Sequence, residues 1–322
     1  MIRAGIAGGT GYAAGELIRL LLTHPETEIA FVHSRSKGGD PITSVHRDLE
    51  GEISMQFSRD GRSEIDLLFL CLPHGESITY LEERDIPEEV RIIDLSRDFR
   101  TEYTGERSFV YGLPELQRDV IRKADHVANP GCFATAIELG LLPLVKEKLV
   151  NGEIQISAVT GSTGAGRTPR DTTHFSWRSG NISVYKPFTH QHLDEIQHNL
   201  KRLDPEYNGT LNFIPFRGGF TRGILAAMHL KSNLSENQAE ALYAGYYDDH
   251  PFVHLAGSNP DVKQVVNTNK ALLYLEKHGD NLMVISVIDN LLKGASGQAV
   301  QNMNLLCGLE ETTGLQLKPA VY

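Results

Sequence analysis

Along the first 130 residues, apolar positions fall into short runs separated by helical spacings. Ile2, Ala4 and Ile6 predict an opening strand, and Leu17, Leu20 and Leu21 recur at helix spacing after a glycine-rich turn. "TEIAFVHSRS" predicts a second strand. "EIDLLFLCLPHGES" holds a continuous apolar run that ends in Pro73-His74-Gly75, the pattern of a strand buried on both faces. "RIIDLSRDF" and "DHVANPGC" read the same way. Strands alternating with helices predict a parallel sheet wound by right-handed crossovers.

Beyond residue 130 the strands lengthen and alternate. "EIQISAVTGSTGAGR", "TLNFIPF", "RGILAAMHLKS" and "VNTNKALLYLEKHGDNLMVISVIDN" predict one sheet, its buried face marked by Leu211, Phe213, Ile224, Ala226 and Met228. Helices over 193–203 and 236–247 interrupt them, so the sheet is antiparallel or mixed with helices on one face. The closing "SGQAVQNMNLLCGL" predicts a helix that returns to the first domain. The expected division is 1–130 with 296–322, and 131–295.

Length and composition agree with two ordinary domains: 322 residues, 40% hydrophobic and 22% charged. The formal charge of −10 gives no general attraction for nucleic acid or anionic lipid. An anionic ligand must then be held by local basic residues or backbone N–H groups. No apolar run approaches the roughly 20 residues of a membrane span. The opening "MIRAGIAGGTGY" has no signal-peptide core. The three cysteines, Cys71, Cys132 and Cys307, lie far apart without a CxxC, which argues against a disulfide framework or a zinc site. A reduced, cytoplasmic protein without bound metal is expected.

"GIAGGTGYAAGEL" places Gly8, Gly9, Gly11 and Gly15 between strand and helix. Such a turn, with Thr10 and Tyr12, lets the backbone approach a pyrophosphate at the helix N-terminus. After the second strand the chain reads Ser34-Arg35-Ser36-Lys37, where an NAD site usually carries a carboxylate. Those side chains offer donors and charge to a 2′-phosphate, so NADP is the expected cofactor.

"NPGCFATA" sets Cys132 after a Pro-Gly turn and at the start of an apolar helix. Backbone N–H groups there lower a thiol pKa, but a lone cysteine is also commonly a buried structural residue. The local residues leave both open. A nicotinamide domain followed at once by such a cysteine has a chemical meaning: the thiolate attacks an acyl phosphate, and hydride then reduces the thioester.

"GGTGYAAGEL", "CLPHGES", "IIDLSRDFR", "VYGLPEL", "NPGCFATA", "GSTGAGR", "HQHLDEIQ", "RGIL" and "KGASGQAVQN" occur in this order along the whole chain. Together they resemble the N-acetyl-γ-glutamyl-phosphate reductase family of arginine biosynthesis, itself related to aspartate-semialdehyde dehydrogenase. The resemblance implies an α/β fold, with an N-terminal NADP-binding Rossmann domain and an α+β catalytic and dimerisation domain built on a mixed, largely antiparallel sheet. It implies Cys132 as nucleophile and one of His190 and His192 as its proton partner. Arg100 matches the family arginine that holds the substrate phosphate or carboxylate, and Glu115 a family acid near the active site. Pro73, His74 and Ser77 would line the cofactor side, and Ser162, Gly164 and Gly166 would border nicotinamide and substrate through backbone N–H groups, with Arg167 adding charge. Gly294, Ser296 and Gly297 would bring the closing helix to the ring, with Gln298 and Asn302 offering amide hydrogen bonds. A homodimer or homotetramer is implied.

Two departures stand out. Arg97 replaces a small residue, and "FIPFRGGFTRG" replaces a family stretch close to "FTPHLxPxxRG", bringing in Phe216 and Arg217. Both arginines are candidate partners for an acyl group with an extra carboxylate, such as succinyl. The competing functions are aspartate-semialdehyde dehydrogenase and a non-catalytic NADP-binding sensor; the joint presence of Cys132, the histidine pair and the arginines argues against the sensor.

Overall fold

The computed structural model describes residues 1–61, 63–101, 103, 105–150 and 152–320. Two compact units emerge: Met1–Pro130 with Ala295–Gln316, and Gly131–Gly294 with the chain from Leu317 onward. The tail from Leu317 thus lies with the second unit, where the sequence reading had put it with the first. Ala320 N–H donates to Val266 C=O, and the Asn267 amide to Lys318 C=O.

The first unit contains β1 (Ile2–Ala7), α1 (Tyr12–Thr23), β2 (Thr27–His33), β3 (Leu67–Leu70), α2 (Glu76–Glu82), β4 (Arg91–Asp94), β5 (Phe109–Tyr111), α3 (Pro114–Ile121) and β6 (His126–Ala128). Its six strands run in the order β2-β1-β3-β4-β6-β5, and every pairing is parallel. All four residues of β3 are buried, as its unbroken apolar run predicts. β5 escaped the sequence reading: it is a three-residue edge strand with two half-buried positions.

The second unit follows with α4 (Cys132–Lys146), β7 (Glu153–Thr160), α5 (Phe175–Arg178), β8 (Ser183–Val184), α6 (His192–Leu203), β9 (Thr210–Arg217), β10 (Ile224–Lys231), α7 (Glu236–Tyr247), β11 (Val253–Leu255), β12 (Ala271–His278) and β13 (Asn281–Ile288). The seven strands lie in the order β11-β12-β13-β10-β7-β9-β8. Pairing is antiparallel except β11 with β12 and β7 with β9. The chain then re-enters the first unit as α8 (Gly297–Leu306), all ten residues of which are buried. Among the described residues no helix is long and apolar enough to cross a membrane.

α4 is the buried centre of the second unit, with thirteen of its fifteen residues buried. Gly140 lets it lie against β10, since a Cβ there would meet Met228 Cε at 2.2 Å. Pro143 inside α4 has no N–H, so the Leu139 carbonyl loses its helical donor. α7 supplies the replacement: the Tyr247 hydroxyl donates to Leu139 C=O, and Tyr243 to Gly140 C=O. Tyr247→Phe should therefore cost about 1–3 kcal/mol, the price of an unsatisfied buried carbonyl, read as a lower midpoint in urea denaturation with an unchanged slope.

Candidate active site

Cys132 is the first residue of α4 and partly exposed. Gly131 is the N-cap, and neither a side-chain cap nor an acidic residue occupies the first turn. The thiol therefore meets the electropositive end of a fifteen-residue helix. Two neighbours fix its place. Gly131 N–H donates to the Glu195 carboxylate at 2.7 Å. Gly294 abuts the cysteine so closely that a Cβ there would lie 2.9 Å from Cys132 Cβ. Gly294 sits in a π-helical turn, Leu292–Ser296. The turn is held by the fully buried Asp289, which accepts from Leu291 and Leu292 N–H, from Asn267 N–H and from the Arg222 guanidinium. Arg222 and Asp289 form an ion pair at 3.0 Å.

Both predicted histidines are buried, His190 at 5% exposure and His192 at 6%. Their rings lie 4.6 Å apart, and each packs edge-on to Phe133, the residue after the cysteine. The structure thus gathers His190 and His192 around one aromatic cluster, formed by Phe133 and Phe213. His190 Nδ1 accepts from His192 N–H at 3.2 Å, so the neutral ring carries its proton on Nε2. Burial, aided by the charges of Lys186 and Arg217, lowers the His190 pKa to about 4. His190 is accordingly a neutral Nε2–H donor near pH 7.

Tyr185 is a site residue that the sequence reading missed. Burial and the nearby Cys132 thiolate push its hydroxyl up to about 12. Arg217 lies over its ring at 4.4 Å, in cation–π geometry, and makes no ion pair among the described residues. Lys186 and Phe188 have φ of 45° and 59°. Two strained non-glycine residues between Tyr185 and His190 are the kind of backbone that accompanies functional sites.

The loop after β7 corrects one expectation. Gly161, Ser162 and Thr163 N–H groups donate to Gly223, Phe220 and Thr221 carbonyls, and those of Gly164 and Gly166 donate within the loop. These amides are consumed internally, so they do not form an anion nest. Asn290 braces the loop by donating to Thr163 Oγ1 and accepting from Gly223 N–H.

In the first unit the glycine loop is sterically dictated. Gly8 has φ of 81°, and a Cβ there would lie 2.4 Å from Cys71 O. Gly11 caps α1 with nothing within 4 Å of its Cβ position, which leaves the helix N-terminus open beside Thr10 and the 41%-exposed Tyr12. Gly15 makes room for His46, whose Nε2 bonds Gly9 C=O at 2.7 Å. Ser34 is buried and accepts from Lys37 N–H, while Ser36 is exposed. Arg35 and Lys37 make exposed pairs with Glu83 and Asp40. Such pairs are worth little and open readily to a phosphate.

Pro73 and His74 are exposed at the end of β3, and His74 Nδ1 accepts from Arg97 N–H. Ser77, expected to line the cofactor, is instead fully buried and donates to Asp94. Burial raises Asp94 to about 6. Arg97 is exposed, whereas Arg100 is buried and donates to the Asn129 and Leu95 carbonyls. Glu115 is buried in the first turn of α3. Asn302 is fully buried and donates to Gly112 C=O and Asn129 Oδ1, which leaves its own Oδ1 unpaired. Both amide atoms of Gln298, also fully buried, lack hydrogen-bond partners among the described residues. Orphaned amides on α8, with the open Gly11 terminus, fit a dinucleotide with a carboxamide-bearing ring.

A parallel-sheet unit with a glycine loop, and a mixed-sheet unit with a cysteine at a helix N-terminus and two buried histidines packed on the residue after it, have the make-up of a two-domain, nucleotide-dependent aldehyde dehydrogenase. The domain family described as "Semialdehyde dehydrogenase, NAD binding domain" matches residues 3–124, and "Semialdehyde dehydrogenase, dimerisation domain" matches 132–290. Over the whole of both chains, the protein is 55% identical to an N-acetyl-γ-glutamyl-phosphate reductase of Parabacteroides distasonis. It is 54% identical to that of Bacteroides thetaiotaomicron and 50% to that of Flavobacterium johnsoniae, again over the whole of each. Among solved structures, aspartate semialdehyde dehydrogenase II of Vibrio cholerae complexed with ASA superposes with a TM-score of 0.74 at 15% identity, over 96% of this chain and 98% of that one. Aspartate semialdehyde dehydrogenase of Candida albicans with NADP gives 0.71 at 14% identity, over 95% and 98%. The chain belongs to the N-acetyl-γ-glutamyl-phosphate reductase family.

The lowered His190 pKa carries a stability consequence with a definite sign. A histidine that folds with its pKa depressed to about 4 binds fewer protons folded than unfolded between that value and 6.5. Its contribution is fully present above pH 6.5 and is lost as pH falls towards 4. His24, His33, His126 and His254 are lowered too, so the comparison must isolate one ring. His190→Asn should lose less stability than the parent between pH 6.5 and 4.5 in parallel urea titrations.

Proposed function

We propose that the protein reduces N-acyl-γ-glutamyl phosphate to the γ-semialdehyde, releasing inorganic phosphate, with NADPH as reductant. The single observation that carries this is Cys132 at the N-terminus of α4, with the two histidines packed on the Phe133 that follows it, in a chain 55% identical to a named reductase. The Cys132 thiolate attacks the γ-carbonyl carbon; the carbon–oxygen bond to phosphate breaks, leaving a thioester. NADPH supplies the hydride that reduces it. The resulting oxyanion accepts a hydrogen bond from His190 Nε2–H, and its collapse to the aldehyde carbonyl breaks the carbon–sulfur bond, returning the thiolate. Gly8, Thr10, Gly11, Ser34, Arg35 and Lys37 hold the dinucleotide, with Gln298 and Asn302 offering their amides.

Aspartate-semialdehyde dehydrogenase is the weaker reading, since that likeness is 15% in sequence and concerns the fold alone. For the acyl group, acetyl follows from the relatives' names. Arg217, without an ion pair among the described residues, favours testing succinyl beside it. The dimerisation-domain match supports a homo-oligomer. A run of exposed apolar residues between 175 and 188, Phe175, Trp177, Ile182, Val184 and Phe188, supports that assembly; a dimer or tetramer in the cytoplasm is the finer reading.

The test runs the reaction backwards, following NADP reduction by N-acyl-glutamate semialdehyde and phosphate. Cys132→Ser should fall by at least about a thousandfold, the order expected when a covalent nucleophile is removed. Acetyl- and succinyl-glutamate semialdehydes and aspartate semialdehyde are compared with NADP and NAD. Full activity of the serine variant, or turnover of aspartate semialdehyde alone, refutes the assignment.

A further inference from the structure

The N-cap of α4 is a glycine, with no side chain to offer the orphan N–H groups of the helix. Its own N–H is nevertheless taken. Glu195, in the first turn of α6, accepts it at 2.7 Å across 64 residues of sequence, and that side chain is only 3% exposed. One turn further along α6, Asn199 donates to Glu138 of α4 at 2.9 Å, and both residues are fully buried. Helix α6 therefore clamps α4 at two levels, and the upper clamp closes on the peptide that precedes the nucleophile.

The clamp is also a charge. A carboxylate hydrogen-bonded at a helix N-terminus is stabilised by the same N–H groups and dipole that stabilise a thiolate there. Two anions at one helix end oppose each other, so the carboxylate disfavours ionisation of the thiol. Other ionisable groups lie around the same helix end. Tyr185 interacts electrostatically with Cys132. His190 and His192 pack on Phe133. Lys186 and Arg217 act on His190, and Lys293 precedes the Gly294 that touches the cysteine. Within this set Glu195 is the acid whose carboxylate is hydrogen-bonded to Gly131, the residue before the nucleophile.

We propose that Glu195 is the positioning residue of Cys132: its carboxylate fixes the Gly131 peptide that aims the thiol, and its charge sets how readily the thiol ionises. This rests on Cys132 being the nucleophile.

Two variants of the full-length enzyme separate the two effects. Glu195→Gln keeps an acceptor for Gly131 N–H but removes the charge; Glu195→Asp keeps the charge but withdraws it by one methylene. Iodoacetamide labelling of Cys132, followed peptide by peptide from pH 5 to 10, should shift to lower pH in the Gln variant. The rate at the foot of the profile should rise about threefold, half a pKa unit. The Asp variant should lose about tenfold or more in kcat, the weight of a hydrogen bond to a charged group, with the KM for NADP within about twofold of the parent. A Gln profile that superimposes on the parent's, or an Asp variant with the parental kcat, overturns the inference. Cys132→Ser is run in parallel. If it stays active, the nucleophile assignment fails; if it is dead while both Glu195 variants behave as the parent, only the present inference fails.

Discussion

The N-terminal turn of α4 must leave backbone N–H groups unsatisfied, because those groups create the positive end that a thiolate needs. It must also hold one residue still within that turn. Side-chain capping would meet the second demand and defeat the first. The chain meets the second demand from outside the helix, at some cost in charge to the first: Gly131 caps with backbone alone, Glu195 takes its N–H, and Gly294 presses against the cysteine. Removing any side chain from α4 itself would not reproduce this; the constraints arrive from α6 and from the π-turn.

The π-turn shows how far back the support extends. An i→i+5 turn is rare and needs stabilisation. Here a buried carboxylate, Asp289, supplies it by accepting two N–H groups of the following residues and pairing with Arg222. A buried ion pair stabilises little by itself. Its value here is geometric: it fixes the turn that carries Gly294, and its neighbour Asn290 bonds Gly223 and Thr163, tying the loop after β7 to the same frame.

What could be read in the sequence followed from sterics and solvation over short spans. The buried runs of β3 and β4 and the alternation of β7 and β10 declared themselves. Gly8 did so because only glycine tolerates a φ of 81° against the Cys71 carbonyl. Cys132 was legible by position, yet its neighbourhood was not. Glu195 reads as an ordinary helix-start acid, and nothing local says that its partner lies 64 residues upstream. His46 looks like a loop histidine until Gly15 and Gly9 are seen to receive it. β5 was hidden because three residues at a sheet edge carry no period. The loop after β7 misled for a related reason. Glycine and hydroxyl content shows that backbone N–H groups are accessible in principle, but not that the 220–223 turn has already taken them.

The cations around the histidine pair bear on how the proton is handled. Lys186 and Arg217 depress His190, and burial does more. A histidine made an imidazolium at pH 7 would add a further positive charge to this cluster, and its Nδ1 would no longer accept the His192 N–H. Kept neutral, the ring holds one tautomer and presents Nε2–H with no charge to desolvate. Because burial is the larger cause and the Lys186 and Arg217 charges the smaller, the neutral state of the ring is set first by its packing against Phe133 and Phe213 and only then by its charged neighbours.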